Sequence, residues 1–258
     1  MDKIKKILTF PAITAAAFIL AGVLLGFSTI GGARAALTYY SETYASQMDM
    51  QSIGISLVEN GTIISYRNYK DQTSDGTWDE HTGELLTNML AETGGTLILG
   101  NNYEEKLSVE NSGTIDAYVR VTVYRYWVDE KGNKIMDIDP SAINLNLVNL
   151  AGQDGGCWIE DTNAATRERT VLYYNRLLKS GSATPEFSDT IRIDGDMASH
   201  IKTSTDENGV TTSEYEYNGC RFILEATVDA VQDHNAEAAI LSAWGMNVSV
   251  TDNRLSLK

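Results

Sequence analysis

Between residues 118 and 127 the chain reads YVRVTVYRYW, with Val119, Val121, Val123 and Trp127 apolar and Arg120, Thr122, Tyr124 and Tyr126 interleaved. Alternation at period two puts the first set on one face of a strand and the second on the other, and β-branched and aromatic residues suit that pleated surface. The pattern returns at residues 220–228, where Cys220, Phe222, Leu224, Ala226 and Val228 share one face and Arg221, Glu225 and Thr227 share the other with Ile223. Two such strands must bury their apolar faces against another layer, so the chain folds as packed sheets.

Shorter segments fit that frame. Ile53, Ile55 and Leu57 alternate with Gly54 and Ser56 ahead of the turn pair Asn60-Gly61, and Asn111-Ser112-Gly113 is a turn cluster before the strand at 118–127. Residues 141–150, 157–159, 171–175 and 190–193 read as further short strands, and residues 97–99 as the start of one. Residues 67–84, rich in Asp, Gly and Thr, read as a surface excursion, and residues 233–244, Ala-rich and ended by Gly245, as one short helix. Val248 and Val250 alternate before what reads as a polar tail. About ten short strands with one or two helices predict an all-β chain, a jelly-roll-like β-sandwich.

The start of the chain has a different character. Lys3, Lys5 and Lys6 precede a stretch without charge from Ile7 to Ala33, and the small-residue pattern Ala33-Arg34-Ala35 closes it. This is the form of an export signal, with cleavage after Ala35 or, using the next alanine, after Ala36. It divides the chain into a signal peptide, residues 1–36, and a mature domain, residues 37–258. The apolar run is also long enough to cross ~30 Å of hydrocarbon, so an uncleaved anchor is the alternative. Contact with a membrane is expected only through this segment.

Removing residues 1–36 takes away four basic residues and one acidic residue and moves the net charge from −15 to −18. Such a chain does not bind nucleic acid by counterion release and is repelled by anionic head groups. Cations, basic surfaces, neutral glycans and further copies of itself remain as partners.

Chemistry-bearing residues are sparse. His81, His200 and His234 are scattered, without the spacing of a zinc site. Asp71, Thr73, Asp75, Gly76 and Asp79 resemble the first part of a calcium loop, but position twelve is Thr82 where a bidentate Glu belongs. Cys157 and Cys220 are an even pair, so export permits a disulfide between them, and two buried thiols are the other outcome. Thirteen tyrosines and four tryptophans could form a sugar-stacking platform, although Trp127 and Trp244 lie on or beside apolar faces. No catalytic set and no cofactor site can be assigned, so the sequence points away from an enzyme.

Several stretches resemble one family. The leader followed by Ala35-Ala36-Leu37-Thr38-Tyr39-Tyr40-Ser41-Glu42-Thr43 and then Ile53-Gly54-Ile55-Ser56-Leu57 resembles the start of TasA/camelysin-type proteins, whose leaders are cut by a SipW-type signal peptidase. Asn111-Ser112-Gly113 with Ala117-Tyr118-Val119-Arg120-Val121 is similar to their central strand pair. Tyr173-Tyr174-Asn175 and residues 178–187, then residues 225–232 with Ala243-Trp244-Gly245, are similar to later strands and the closing helix.

The resemblance implies a secreted Gram-positive protein of the cell surface or extracellular biofilm matrix, assembled as a homo-oligomer or filament, alone or with a co-secreted matrix protein. In such fibres an N-terminal strand of one subunit pairs with the sheet of the next. Here that strand would be residues 37–50, with Leu37, Tyr39, Tyr40, Tyr44 and Met48 as its anchors. The alternatives are an N-terminus without a partner and a monomeric cell-surface module that holds a glycan or a host protein. The family also includes surface metalloproteases, but no zinc-ligand motif is present to carry that activity over.

Overall fold

The computed structural model describes residues 52–70, 77–91, 93–205, 211–215 and 217–258, together with Ile19. The described residues are all-β: antiparallel sheets and one complete α-helix. The first sheet has six strands, β1 (Gly54–Glu59), β2 (Thr62–Lys70), β3 (Thr77–His81), β4 (Asn102–Glu110), β7 (Ile143–Leu147) and β10 (Ser188–Ile193), in the order β3-β2-β1-β4-β10-β7. The second contains β5 (Ala117–Val128), β8 (Trp158–Glu160), β9 (Arg169–Tyr174) and β13 (Arg221–Gln232) in the order β13-β5-β9-β8, with β6 (Lys134–Ile135) paired to the end of β5. Two hairpins complete it, β11 (Ile201–Thr205) with β12 (Thr211–Tyr215) and β14 (Val248–Thr251) with β15 (Arg254–Leu257). Gln51–Lys258 is a compact unit by itself.

The period-two pattern decides the packing. Val119, Val121, Val123 and Trp127 of β5 are buried, and they share one core with Leu57, Leu107, Val109, Ile143 and Ile191 of the six-stranded sheet. Leu224 of β13 joins that core, and Phe222, Ala226 and Val228 pack against it half-buried, as the alternation requires. Trp158 is fully buried between Tyr174 and Phe187, at ring distances of 5.3 and 5.5 Å, and its indole N–H donates to Pro185 O at 3.1 Å.

The opposite face of the second sheet carries a smaller core. Tyr118, Tyr173 and Val231 are covered there by the helix α1 (Ala236–Trp244) and the β14–β15 hairpin, through Ile240, Val248 and Leu255. Gly245, with φ at 68°, closes the helix in the left-handed conformation, as its place after the Ala-rich run predicts. Filling Ile240, which is fully buried, with alanine would cost about 2–5 kcal/mol.

Three local expectations are corrected. Residues 67–84 are not one excursion: β2 runs to Lys70 and β3 begins at Thr77, joined by a cross-strand pair of Tyr69 and Trp78 at 5.1 Å. The end of the chain is not a polar tail, because Leu255 buries against the second core. Residues 97–99 are not a strand: the Ile98 N–H donates to the Tyr103 hydroxyl at 2.7 Å, which takes that backbone out of any ladder.

Candidate functional site

β13 pairs with β5 along its whole length, from Arg221 opposite Val128 to Gln232 opposite Ala117. Among the described residues no strand pairs with its other edge. A long open edge presents unpaired backbone donors and acceptors and is a template for another strand. Along residues 220–227 that edge walls a trough of about 920 Å³, whose other side is built from Leu57, Ile64, Leu85, Leu86, Met89 and Leu90. Consecutive residues of β13 line it, so the wall is the backbone edge itself and not one face of the strand.

Residues 82–90 shape the far wall. Gly83 lies so close to Ile64 O that a Cβ would sit 2.2 Å from it, which brings the segment tightly onto the end of β2. Leu86 then takes φ of 67°, an uncommon backbone for leucine, with its N–H donating to Glu59 Oε1 at 2.6 Å.

At Leu97, Cys220 and Phe222 the trough merges with a narrower cavity of about 410 Å³. Its aromatic lining comes from three elements: Trp127 stacks on Tyr217 at 6.5 Å and meets Phe222 edge-on at 6.0 Å. Leu99 and Met197 complete the apolar wall.

A buried acid belongs to the same sheet pair. Glu105 is 1% exposed on the inner face of β4, between Tyr103 and Leu107, and neither carboxyl oxygen has a hydrogen-bond donor. Burial, with Glu59 alongside, pushes its carboxyl up to about 8, so it is protonated at neutral pH.

The start of β1 is fixed by the Asn111 turn. Asn111 is buried; its amide donates to Ile115 O at 2.8 Å and Leu178 O at 3.1 Å, and its Oδ1 accepts from Gly113 N–H at 3.0 Å. A Cβ on Gly113 would meet Gly54 N at 2.5 Å and Ser52 O at 2.6 Å, so only glycine allows β1 to start there.

Ala35, Ala36, Leu37, Tyr39, Tyr40, Tyr44 and Met48 lie outside the described residues, as do the first residues of the calcium-like stretch, 71–76. Asp79 is in β3 and Thr82 lines the trough. Cys157 and Cys220 are thiols and not a disulfide; Cys157 is buried, and burial raises its thiol above the ordinary range. His81 packs on Tyr66 at 5.9 Å and His200 on Tyr217 at 5.4 Å, far apart in the topology. Among the described residues no group of three or more His, Cys, Asp and Glu is placed to hold a metal ion, and no helix is long and apolar enough to cross a membrane.

The open edge of β13 and the far wall were not legible as a site. Leu85, Leu86, Met89 and Leu90 were the available signal, four large apolar residues inside polar sequence. A second surface feature also comes from the hairpin: Trp78 is 46% exposed, with the Arg67 guanidinium 4.3 Å from its ring centre.

Comparison with protein-family models, with curated proteins and with solved structures finds no match to this chain.

Proposed function

We propose that the chain is a secreted structural protein of an extracellular biofilm matrix, of the TasA/camelysin type, that self-associates into fibres. Its two sheets form a jelly-roll-like sandwich, its leader is removed at Ala35 or Ala36, and residues 37–50 of one copy add to the β13 edge of the next. The observation that supports this reading is the open β13 edge over an apolar trough. Main-chain hydrogen bonds to that edge would satisfy the donors and acceptors of an incoming strand, while its side chains displace water from the trough. A contact of this kind is head-to-tail, and it builds a filament where the rotation between copies does not close. No catalytic role is assigned to any residue.

Negative-stain electron microscopy of residues 37–258 beside residues 51–258 tests it. Filaments from the longer chain alone are the expected result; dispersed particles from both would sink simple self-assembly.

Trp78 favours a second reading, a monomeric surface module for a glycan or host protein. An exposed indole paired with Tyr69 is a stacking platform for a sugar ring. That reading expects a ligand-dependent change in tryptophan fluorescence, abolished by Trp78→Ala, and no assembly.

A further inference from the structure

We propose that Glu105 and Glu59 form a pH-sensitive latch on residues 84–90: a proton held between the two carboxyls keeps this wall of the trough closed, and its loss as pH rises releases the wall. The latch acts whether or not a second copy pairs with β13.

Register brings the two acids together. Glu59, the last residue of β1, pairs with Leu107 of β4, and residues two apart in a strand share a face. Glu59 and Glu105 are thus diagonal neighbours on the inner side of the six-stranded sheet. No N–H or hydroxyl of another residue reaches either oxygen of Glu105, which is 1% exposed. The hydrogen bond that joins it to Glu59 is therefore made by the acid's own proton.

The surroundings leave this proton without a substitute. On β10 the Ser188 hydroxyl donates to the Glu105 backbone carbonyl, and Tyr103, its neighbour along β4, directs its hydroxyl at the Ile98 backbone. Val121, Val123 and Leu224 of the second sheet bring only apolar side chains to this core. Among the described residues Glu59 is the only charged group that acts on Glu105; Glu84, Arg221 and Glu225 line the trough without doing so. Both Glu105 oxygens are shut off from solvent, so the pair meets no substrate, and a change in its protonation reaches the surface through Glu59.

Glu59 holds the wall. Its Oε1 accepts from the Leu86 N–H at 2.6 Å, and among the described residues this is the hydrogen bond that ties residues 84–90 to a sheet. Their other hydrogen bonds, such as Met89 N–H to Leu86 O, stay within residues 84–96. Leu86 takes φ of 67°, which a leucine keeps only where its surroundings impose it. Two ionised carboxyls side by side repel, and the displaced partner is the group that restrains Leu86. Leu85, Leu86, Met89 and Leu90 then leave the far side of the trough.

Burial and Glu59 push the folded Glu105 carboxyl up to about 8, from an ordinary 4.5. A proton bound more tightly in the closed wall stabilises that state fully below about 4.5, and the contribution is lost as pH rises to about 8.

Hydrogen–deuterium exchange of residues 51–258, one compact unit, from about pH 5 to about pH 9 tests the latch once the intrinsic pH dependence of exchange is divided out. Protection of residues 84–90 should fall by up to about tenfold per pH unit until about pH 8 and then level off, while α1 loses less. Glu59→Gln keeps an acceptor for Leu86 and removes the like charge, so it should hold residues 84–90 protected across the range, and Glu105→Gln should do the same. In Glu59→Gln the burial of Glu105 still makes urea stability fall with pH, which separates the wall from the whole fold. A fall that persists in Glu59→Gln, equal protection at both ends of the range in the unsubstituted protein, or an equal loss in α1 overturns the latch.

Discussion

Ser52 and Thr114 are tied twice: Ser52 N–H donates to Thr114 Oγ1, and Thr114 N–H donates to Ser52 O, both at 2.8 Å. The pair sets the place where β1 begins. Behind it stands Asn111, whose side chain makes three hydrogen bonds inside the protein.

Asn111→Ala should therefore destabilise the fold by about 2–4 kcal/mol, because Ile115 O, Leu178 O and Gly113 N–H lose their partner together. Gly113→Ala should cost about 1–3 kcal/mol through overpacking against Ser52 and Gly54. Urea denaturation followed by tryptophan fluorescence measures both, and losses under about 0.5 kcal/mol would remove the turn as the determinant of where β1 begins.

Glu105 predicts how stability depends on pH. Its folded carboxyl, pushed up to about 8, binds its proton more tightly than in the unfolded chain, where the ordinary value is 4.5. Between those values the folded state holds more protons, so the stability from this group is complete below about 4.5, declines as pH rises and is gone above about 8. The decline is on the order of 4–5 kcal/mol. Glu105→Gln should flatten the curve between pH 5 and pH 8, and an unchanged slope would show that the carboxyl is not protonated in the core.

A charge placed on the wall of the trough should block assembly without unfolding the protein. Ala226 is half-buried beside the open edge, opposite Val123. Ala226→Lys should abolish filaments while leaving the circular dichroism spectrum unchanged, whereas Ser256→Lys, on the outer hairpin, should assemble normally. Filaments from Ala226→Lys would move the acceptor away from β13.

Assembly should also depend on ionic strength. With a net charge of −18 once residues 1–36 are gone, copies repel one another, and salt or lower pH weakens that repulsion. Light scattering across 10 to 500 mM salt, a range of roughly 30 to 4 Å in screening length, should rise with salt. Assembly strongest at low salt and high pH would contradict electrostatic opposition between subunits.

Which faces of β5 and β13 are buried could be read directly from residues 118–127 and 220–228, because period two is a local property of the chain. The helix ended by Gly245 and the Asn111-Ser112-Gly113 turn were legible for the same reason. The β2–β3 hairpin was not: its residues are polar on both faces, and its cross-strand pair of Tyr69 and Trp78 exists only once the strands align. The β15 strand was obscured because Leu255 and Leu257 are too few to show a period.

The candidate site depends almost wholly on tertiary structure. The sequence by itself determined an acidic, β-rich chain with an uncharged stretch from Ile7 to Ala33 and an aromatic segment after it, since charge, hydropathy and alternation need only neighbouring residues. The fold decided that β13 is an edge strand among the described residues, that Leu85 and Met89 stand across a trough from it, and that Trp127, Tyr217 and Phe222 line one cavity. Strand order and the meeting of residues far apart in the chain follow from how the sheets share their core, and no local pattern encodes that.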